Sequence, residues 1–435
     1  MGQFSMTISA GAGSVLNDNQ QLCLERTRPM THIFTLKAPA FAAALLLLSA
    51  PGGMAQNLTY PLVDTMQDAC FDTTGAKITC PAEGEALYGQ DAQHHRLAAS
   101  YTDNGDETVT DNNTALVWQK TPENARLQYA EALSYCSALS LGGRDDWRVP
   151  TIKELYSLAD FRGELLKPEE GEPRPYIDTT AFDFFYPDRG MIFAGQYWSS
   201  TLYVKGPAMN GANQGAFGFN FADGHIKAYG TGLDFYSGGE AASSGLSNGP
   251  ADGKAPGNYV RCVSGDEAVY GVNAFTANGD GTVTDAATGR MWQQSDDGTR
   301  RDWPEALAYC EALDLGGHDD WYLPNSKELQ SIVDYHRTDL PAIDTSVFSI
   351  TEDSDTLDFW TSTTFGDWKN YANVIAFGKA LSKAGDQTEY TDWHGAGAQR
   401  SSIKSVAGQE MTEETTCSVN ACDYNRPDNL VRCVR

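Results

Sequence analysis

The sequence predicts two tandem copies of one small domain that mixes β-hairpins with short helices. Three observations carry this. Residues 104–160 and 278–334 align at a constant offset of 174 and are identical at 30 of 57 positions. Each copy opens on a Thr-Val-Thr strand and turn, then passes into segments with helical spacing of apolar residues. Cysteines also recur at matching places, Cys136 with Cys310 and Cys262 with Cys433. Later landmarks keep their order while their spacing drifts. YIDTTAF (176–182) answers AIDTSVF (342–348), YWSST (197–201) answers FWTST (359–363), and YVRCV (259–263) answers LVRCV (430–434). A kept frame with variable connections is expected of surface loops.

The elements follow in chain order. Residues 30–55 have a weakly basic start, an apolar run from Ala40 to Leu48, and the small-residue site Gly53-Met54-Ala55. That pattern reads as a secretory signal peptide, too short to span a bilayer. Met30 is then the expected start, and residues 1–29 an over-extended reading of the gene. No later run reaches the ~20 apolar residues of a membrane helix, so no transmembrane segment is expected. A small segment, 56–98, precedes copy one (99–265) and copy two (270–435). GDETVTDNNTALVWQ and GDGTVTDAATGRMWQ read as hairpins. A first helix follows in each copy, with Ala132, Tyr135, Cys136 and Leu139 at helical spacing and Gly142 as its stop. In copy two Pro304 is tolerated in the first turn. Thr151-Ile152-Lys153-Glu154 and Asn325-Ser326-Lys327-Glu328 read as capping boxes that start a second helix. FNFADGHIKAY reads as a late hairpin around Asp223-Gly224.

Composition bounds the partners. The formal net charge is −27. A surface that acidic repels nucleic-acid phosphates and anionic headgroups, which excludes nucleic acid and leaves divalent cations as candidates. Beyond Cys23, eight cysteines remain, and an even number in an exported chain reads as disulfides. Eight cysteines allow 105 connectivities, and the repeat narrows them. The simplest set is Cys136–Cys262, Cys310–Cys433, Cys417–Cys422 and Cys70–Cys80. Zinc is disfavoured because no paired CxxC is present and no His stands in register.

No catalytic set emerges. Asp145/Asp146 and Asp319/Asp320 are sequence neighbours and do not converge as a glycosidase pair must. His318 is in the repeated frame, but copy one has Arg144 there. Trp147 and Trp321 read as core.

The phrase LGG..DW..P..KEL, followed by YWSST and VRCV, resembles a bacterial exported domain named for the C-terminal domain of the Legionella collagen-like adhesin. Both copies match, across 104–263 and 278–435. The resemblance implies an α+β fold: two tandem C-type-lectin-like domains, each with two helices, a small antiparallel sheet, long loops, and a disulfide joining first helix to last strand. It also implies attachment to surfaces through glycosaminoglycans. This chain has no Gly-X-Y stalk, and its acidity disfavours sulfated ligands. The DW.LP phrase is similar to one in formylglycine-generating enzymes, but no vicinal reactive cysteine pair stands out, so an oxidase activity is not carried over.

Two places are candidate sites. Asp103, Asp106 and Asp111, and in copy two Asn278, Asp280 and Asp285, alternate as in calcium loops, which leaves calcium as the candidate cofactor; hairpin entry turns explain the same residues. The long loops 203–258 and 364–429 hold aromatics and amides, with Asn213, Asn220, Asp223 and His225 as candidate ligand-binding residues. The expected protein is an exported binding or adhesion protein, with extracellular carbohydrate or a surface protein as partner. An enzyme on the lectin-like fold and a structural envelope or matrix protein are the competing expectations.

Overall fold

The computed structural model describes residues 58–165, 172–186, 195–206, 214–231, 257–352, 354–384, 388–405, 414–417 and 421–435. The expected signal peptide (30–55), the stretch before it, and Asn213 lie outside the described residues.

A two-stranded ribbon, β1 (Cys70–Phe71) and β2 (Lys77–Ile78), is closed by Cys70–Cys80. Copy one then runs β3 (Tyr101–Asp103), β4 (Thr108–Asp111), β5 (Val117–Gln119), α1 (Tyr129–Ser137), β6 (Trp147–Arg148), α2 (Ile152–Ser157), β7 (Gln196–Tyr203), β8 (Gly215–Asn220), β9 (Ile226–Gly230) and β10 (Val263–Ser264). Copy two repeats the order: β11 (Phe275–Ala277), β12 (Thr282–Asp285), β13 (Arg290–Gln293), α3 (Trp303–Glu311), α4 (Ser326–Ser331), β14 (Asp358–Thr364), β15 (Tyr371–Ala376). It then adds β16 (Leu381–Ala384) and β17 (Thr391–Asp392) before β18 (Gln399–Ile403), and β19 (Glu414–Cys417) and β20 (Ala421–Asn425) after it. The fold is α+β, built from small antiparallel sheets and few, short helices. None of the described helices is long and apolar enough to cross a membrane.

Local chemistry explains the repeated phrase. Thr151 Oγ1 accepts the Glu154 amide at 3.2 Å, and Glu154 Oε2 accepts the Thr151 amide at 2.8 Å. Asn325 and Glu328 do the same at 2.9 and 3.0 Å. Each box satisfies two amides that a helix start leaves without partners. The expected role of Gly142 needs correction. Helix α1 ends at Ser137, and Gly142 with Gly143 instead forms a tight turn that pairs Leu141 with Arg144. Both glycines have positive φ, as do Gly316 and Gly317 in copy two. A Cβ on Gly142 would meet Thr108 Cγ2 at 2.7 Å, and one on Gly316 would meet Thr282 Cγ2 at 2.7 Å. The Gly-Gly turn is thus the seat on which the Asp-x-Thr hairpin of each copy rests.

Cys136–Cys262 and Cys310–Cys433 tie the first helix of each copy to its closing VRCV segment. Cys422 is also disulfide-bonded, and the β19–β20 register sets Cys417 opposite it. The arginine before each of the last cysteines is fully buried. Arg261 donates to the carbonyls of Gln119, Lys120 and Asp183. Arg432 donates to those of Gln293, Gln294 and Ser349. Each clips the returning hairpin strand to the end of the IDT segment.

The two copies are not beads on a string. One six-stranded sheet runs β14-β15-β18-β9-β8-β7, three strands from each copy in mirrored order. The joint lies between β18 and β9, where Gln399 pairs with Ile226 and the Ala228 amide donates to His394 O at 2.8 Å. Beneath it a single apolar core holds Tyr156, Phe217 and Phe219 of copy one with Tyr335, Phe359 and Phe377 of copy two. Phe217 and Tyr335 meet edge to face at 4.8 Å. Residues Ala55–Arg435 form one compact unit.

The helices α2 and α4 lock this joint by exchanging lysines. Lys153 Nζ donates to Ser331 O, the last residue of α4, at 2.7 Å, and to Asn273 Oδ1 at 2.9 Å. Lys327 Nζ donates to Ser157 O, the last residue of α2, at 2.9 Å, and to Asp64 O at 2.9 Å. Each cation sits where the other helix presents carbonyls without helical partners. Burial pushes both ammonium groups down to about 8.

Replacing Lys327 with Met keeps its volume and leaves those carbonyls without a donor. Lys327→Met should lower unfolding stability by about 1–3 kcal/mol, read as a lower denaturant midpoint. An unchanged midpoint would contradict the lock.

Candidate functional site

The segment before copy one docks on copy two. The Gln67 side chain imitates a strand: Nε2 donates to Thr364 O at 2.8 Å, and Oε1 accepts the Thr364 amide at 2.9 Å. Asp91 Oδ2 accepts the hydroxyls of Thr65 at 2.8 Å and of Thr363 at 2.6 Å. Burial pushes the Asp91 carboxyl up to about 7. The arrangement is reciprocal. The segment leading into copy two docks on α2 of copy one, where Lys153 Nζ donates to Gly271 O at 3.1 Å, and its Tyr270 enters the shared core against Tyr60.

Between this docked segment and copy two lies a cleft of about 970 Å³. One wall is the turn Glu83–Tyr88 with His94 and Arg96. The other is the outer face of α3, with Pro304, Glu305, Ala308 and Glu311, and Ala312 just past its end. Arg290, Trp321 and Tyr322 form the floor, and Asp319, Asp320 and Arg435 close one end.

The floor is organised around a buried carboxylate. Glu328 is 1% exposed. Its Oε1 accepts the Tyr322 hydroxyl at 2.8 Å and Arg96 Nε at 3.2 Å, and pairs with Arg290 Nε at 3.1 Å. Burial alone would raise this carboxyl. The two guanidiniums outweigh it and hold the group below its ordinary value. The Tyr322 ring has two partners, His94 stacked at 4.5 Å and the Arg96 guanidinium at 4.2 Å. His94 Nε2 is in turn 3.0 Å from Glu311 Oε1. Every group on the floor is held by at least one neighbour, so the surface is rigid before any ligand arrives.

Copy one solves the same problem differently. Its capping glutamate, Glu154, is gripped by Arg148 at 2.7 and 2.6 Å. At the offset of 174, Arg148 answers Tyr322 and Leu116 answers Arg290. The arginine has moved from one side of the carboxylate to the other, and the freed place is taken by Tyr322 and by Arg96 from the docked segment. This paired swap was visible in the sequence as two coupled differences inside an otherwise matched frame.

The residues expected to form sites lie elsewhere. Asn220, Asp223 and His225 are buried at the β8–β9 turn, against the joint between copies. Asn220 Oδ1 accepts the Ala222 amide, and Asp223 Oδ1 the His225 amide. The His225 ring packs on Phe365 of copy two at 4.7 Å, and burial pushes its pKa down to about 4. Edge strand β9 explains the placement, because pairing with β18 covers the turn that follows β8. The six hairpin residues do not converge. Asp106 Oδ1 accepts the Thr108 amide and hydroxyl, and Asp280 Oδ1 those of Thr282. Asn278 donates to Thr282 and Thr284. Asp103 pairs with Lys120, while buried Asp111 and Asp285 accept turn amides. Among the described residues no group of three or more His, Cys, Asp or Glu could hold a metal ion.

A family model described as the Lcl C-terminal domain matches residues 107–237 and again residues 281–394, together more than half of the chain. The chain belongs to the Lcl C-terminal domain family. It carries two tandem copies. No curated protein and no solved structure matches it. The two Lcl C-terminal domains share the capping glutamate, and the cleft beside it is built on the second.

Glu328→Gln removes the charge that Arg96 and Arg290 share and should cost about 3 kcal/mol at neutral pH. The sign with pH is fixed by the lowered carboxyl. Its contribution is present above the unfolded value of about 4.3 and is lost as pH falls through the lower folded value. Thermal unfolding of the variant from pH 3 to pH 7 should therefore approach the parent at the acid end. A constant gap across that range would contradict the ion pair.

Proposed function

We propose that the protein is an exported binding protein that takes carbohydrate in the cleft beside Tyr322, with each copy a C-type-lectin-like domain. The observation that carries this is the cleft itself. Its floor is preorganised, its volume is about 970 Å³, and its walls present a half-buried Tyr88, carboxylates and backbone. Ligand sites of about 300–1,000 Å³ with a few placed polar groups suit small ligands and short oligosaccharides. Aromatic rings beside acceptors fit the two faces of a sugar, apolar C–H on one and hydroxyls on the other. Export agrees with the disulfides Cys70–Cys80, Cys136–Cys262 and Cys310–Cys433, which persist in oxidising compartments. Family membership adds the kinship with a domain of an adhesin noted in the sequence.

The test is a glycan-array screen of residues 56–435, with calcium and with chelator, beside the variant Ala308→Trp. Ala308 is exposed on α3 and lines the cleft. A bulky ring there fills the space without touching the core. The parent should bind a defined glycan class, and Ala308→Trp should weaken that binding at least about tenfold, the fold-change of 1.4 kcal/mol, with unchanged thermal unfolding. Binding that survives Ala308→Trp would move the site elsewhere, and no binding by the parent would sink the reading.

A further inference from the structure

The charges in the cleft are unevenly used. Six carboxylates line it against three guanidiniums and one imidazole. The cations are all engaged. Arg96 and Arg290 hold Glu328, Arg435 pairs with Asp320 at 2.5 Å, and His94 pairs with Glu311 at 3.0 Å. Glu85 is exposed and accepts the Ala82 amide at 2.8 Å. Glu83, Glu305 and Asp319 are exposed and form no ion pair among the described residues; Glu305 feels only the field of Arg301, which is itself paired with Asp297. They stand on three different parts of the wall: the docked turn, the first turn of α3, and the turn before Trp321. Three like charges around one open cavity raise the local potential and concentrate cations there.

From this we propose that the cleft ligand is cationic, an oligosaccharide of amino sugars with free amino groups. The proposal rests on the carbohydrate reading above and narrows its ligand class. An ammonium on alternate or successive rings can meet the three carboxylates, while hydroxyls use their remaining oxygens. Tyr88 offers the flat face: it lines the cleft with its ring 6.2 Å from that of His94, half-buried on the wall that carries Glu83. Ammonium groups are also attracted to aromatic faces. The size of the cavity favours this ligand over a folded protein partner, which needs a broad surface instead of a pocket. The net charge of −27 acts in the same direction at long range, drawing cations and repelling sulfated or carboxylated chains.

The test is calorimetric titration of residues 56–435 with three probes of matched length: a glucosamine oligomer, its fully N-acetylated counterpart, and oligolysine. The glucosamine oligomer should bind at least about tenfold tighter than the N-acetylated one at low salt, and the gap should narrow in high salt. In the triple variant Glu83→Gln, Glu305→Gln, Asp319→Asn, the two saccharides should come within about twofold of each other, since exposed ion pairs account for the preference. Equal or tighter binding of the N-acetylated oligomer would overturn the proposal and leave the carbohydrate reading standing. Binding of oligolysine with neither saccharide would overturn both in favour of a basic peptide. Binding of none of the three would overturn the proposal, and the carbohydrate reading would then fall or stand with the glycan array.

Discussion

The structure depends on an exchange of two lysines. Lys153 and Lys327 occupy the same position in the two copies, and each is spent on the other copy's helix end. Helices of six residues have too few internal hydrogen bonds to persist alone. Here α2 and α4 are held at their starts by capping boxes within the copy and at their ends by a cation from outside it. Neither copy can supply its own stopper. The shared sheet and the common core follow from the same juxtaposition, since the exchange requires α2 and α4 to lie side by side under the β9–β18 joint.

The duplication then left room for divergence. Both copies keep a buried glutamate at the third position of the second helix, because the capping box needs it there. A buried carboxylate must be neutralised, and there is more than one direction from which a guanidinium can reach it. Copy one uses Arg148 from its own strand. Copy two uses Arg290 and borrows Arg96 from the segment that precedes copy one. That borrowing makes the N-terminal segment a structural part of copy two and opens the cleft along its edge. The cleft is a consequence of how one ion pair was rearranged.

Features that are local in sequence were legible there. The capping boxes, the hairpin around Val109 and Trp118, and the late hairpin at Asp223-Gly224 all depend on residues within a few positions of one another. The long disulfides became legible because duplication marked Cys136 with Cys310 and Cys262 with Cys433. What depends on the other copy was not legible. The roles of Lys153 and Lys327 leave no local trace, because the helix-end carbonyls they bind lie 170 or more residues away. Asn220, Asp223 and His225 read as loop residues available to a ligand. They are covered because strand β9 is an edge only in an isolated copy. The roles of Arg261 and Arg432 are not legible, because the carbonyls they bind carry no side-chain signature. The cleft was the least legible feature, since its walls come from segments about 200 residues apart and its signal is a pair of substitutions between copies.

The central claim is that both copies and the docked segment fold as a single cooperative unit. Equilibrium urea unfolding of residues 56–435, followed at once by tryptophan fluorescence and far-ultraviolet circular dichroism with disulfides intact, tests it most directly. Buried tryptophans lie in both copies, Trp118 and Trp198 in one and Trp292 and Trp360 in the other. The account predicts coincident curves with one transition and a slope set by the surface of the whole unit. Two separated transitions, each with the slope of a single copy, would contradict it.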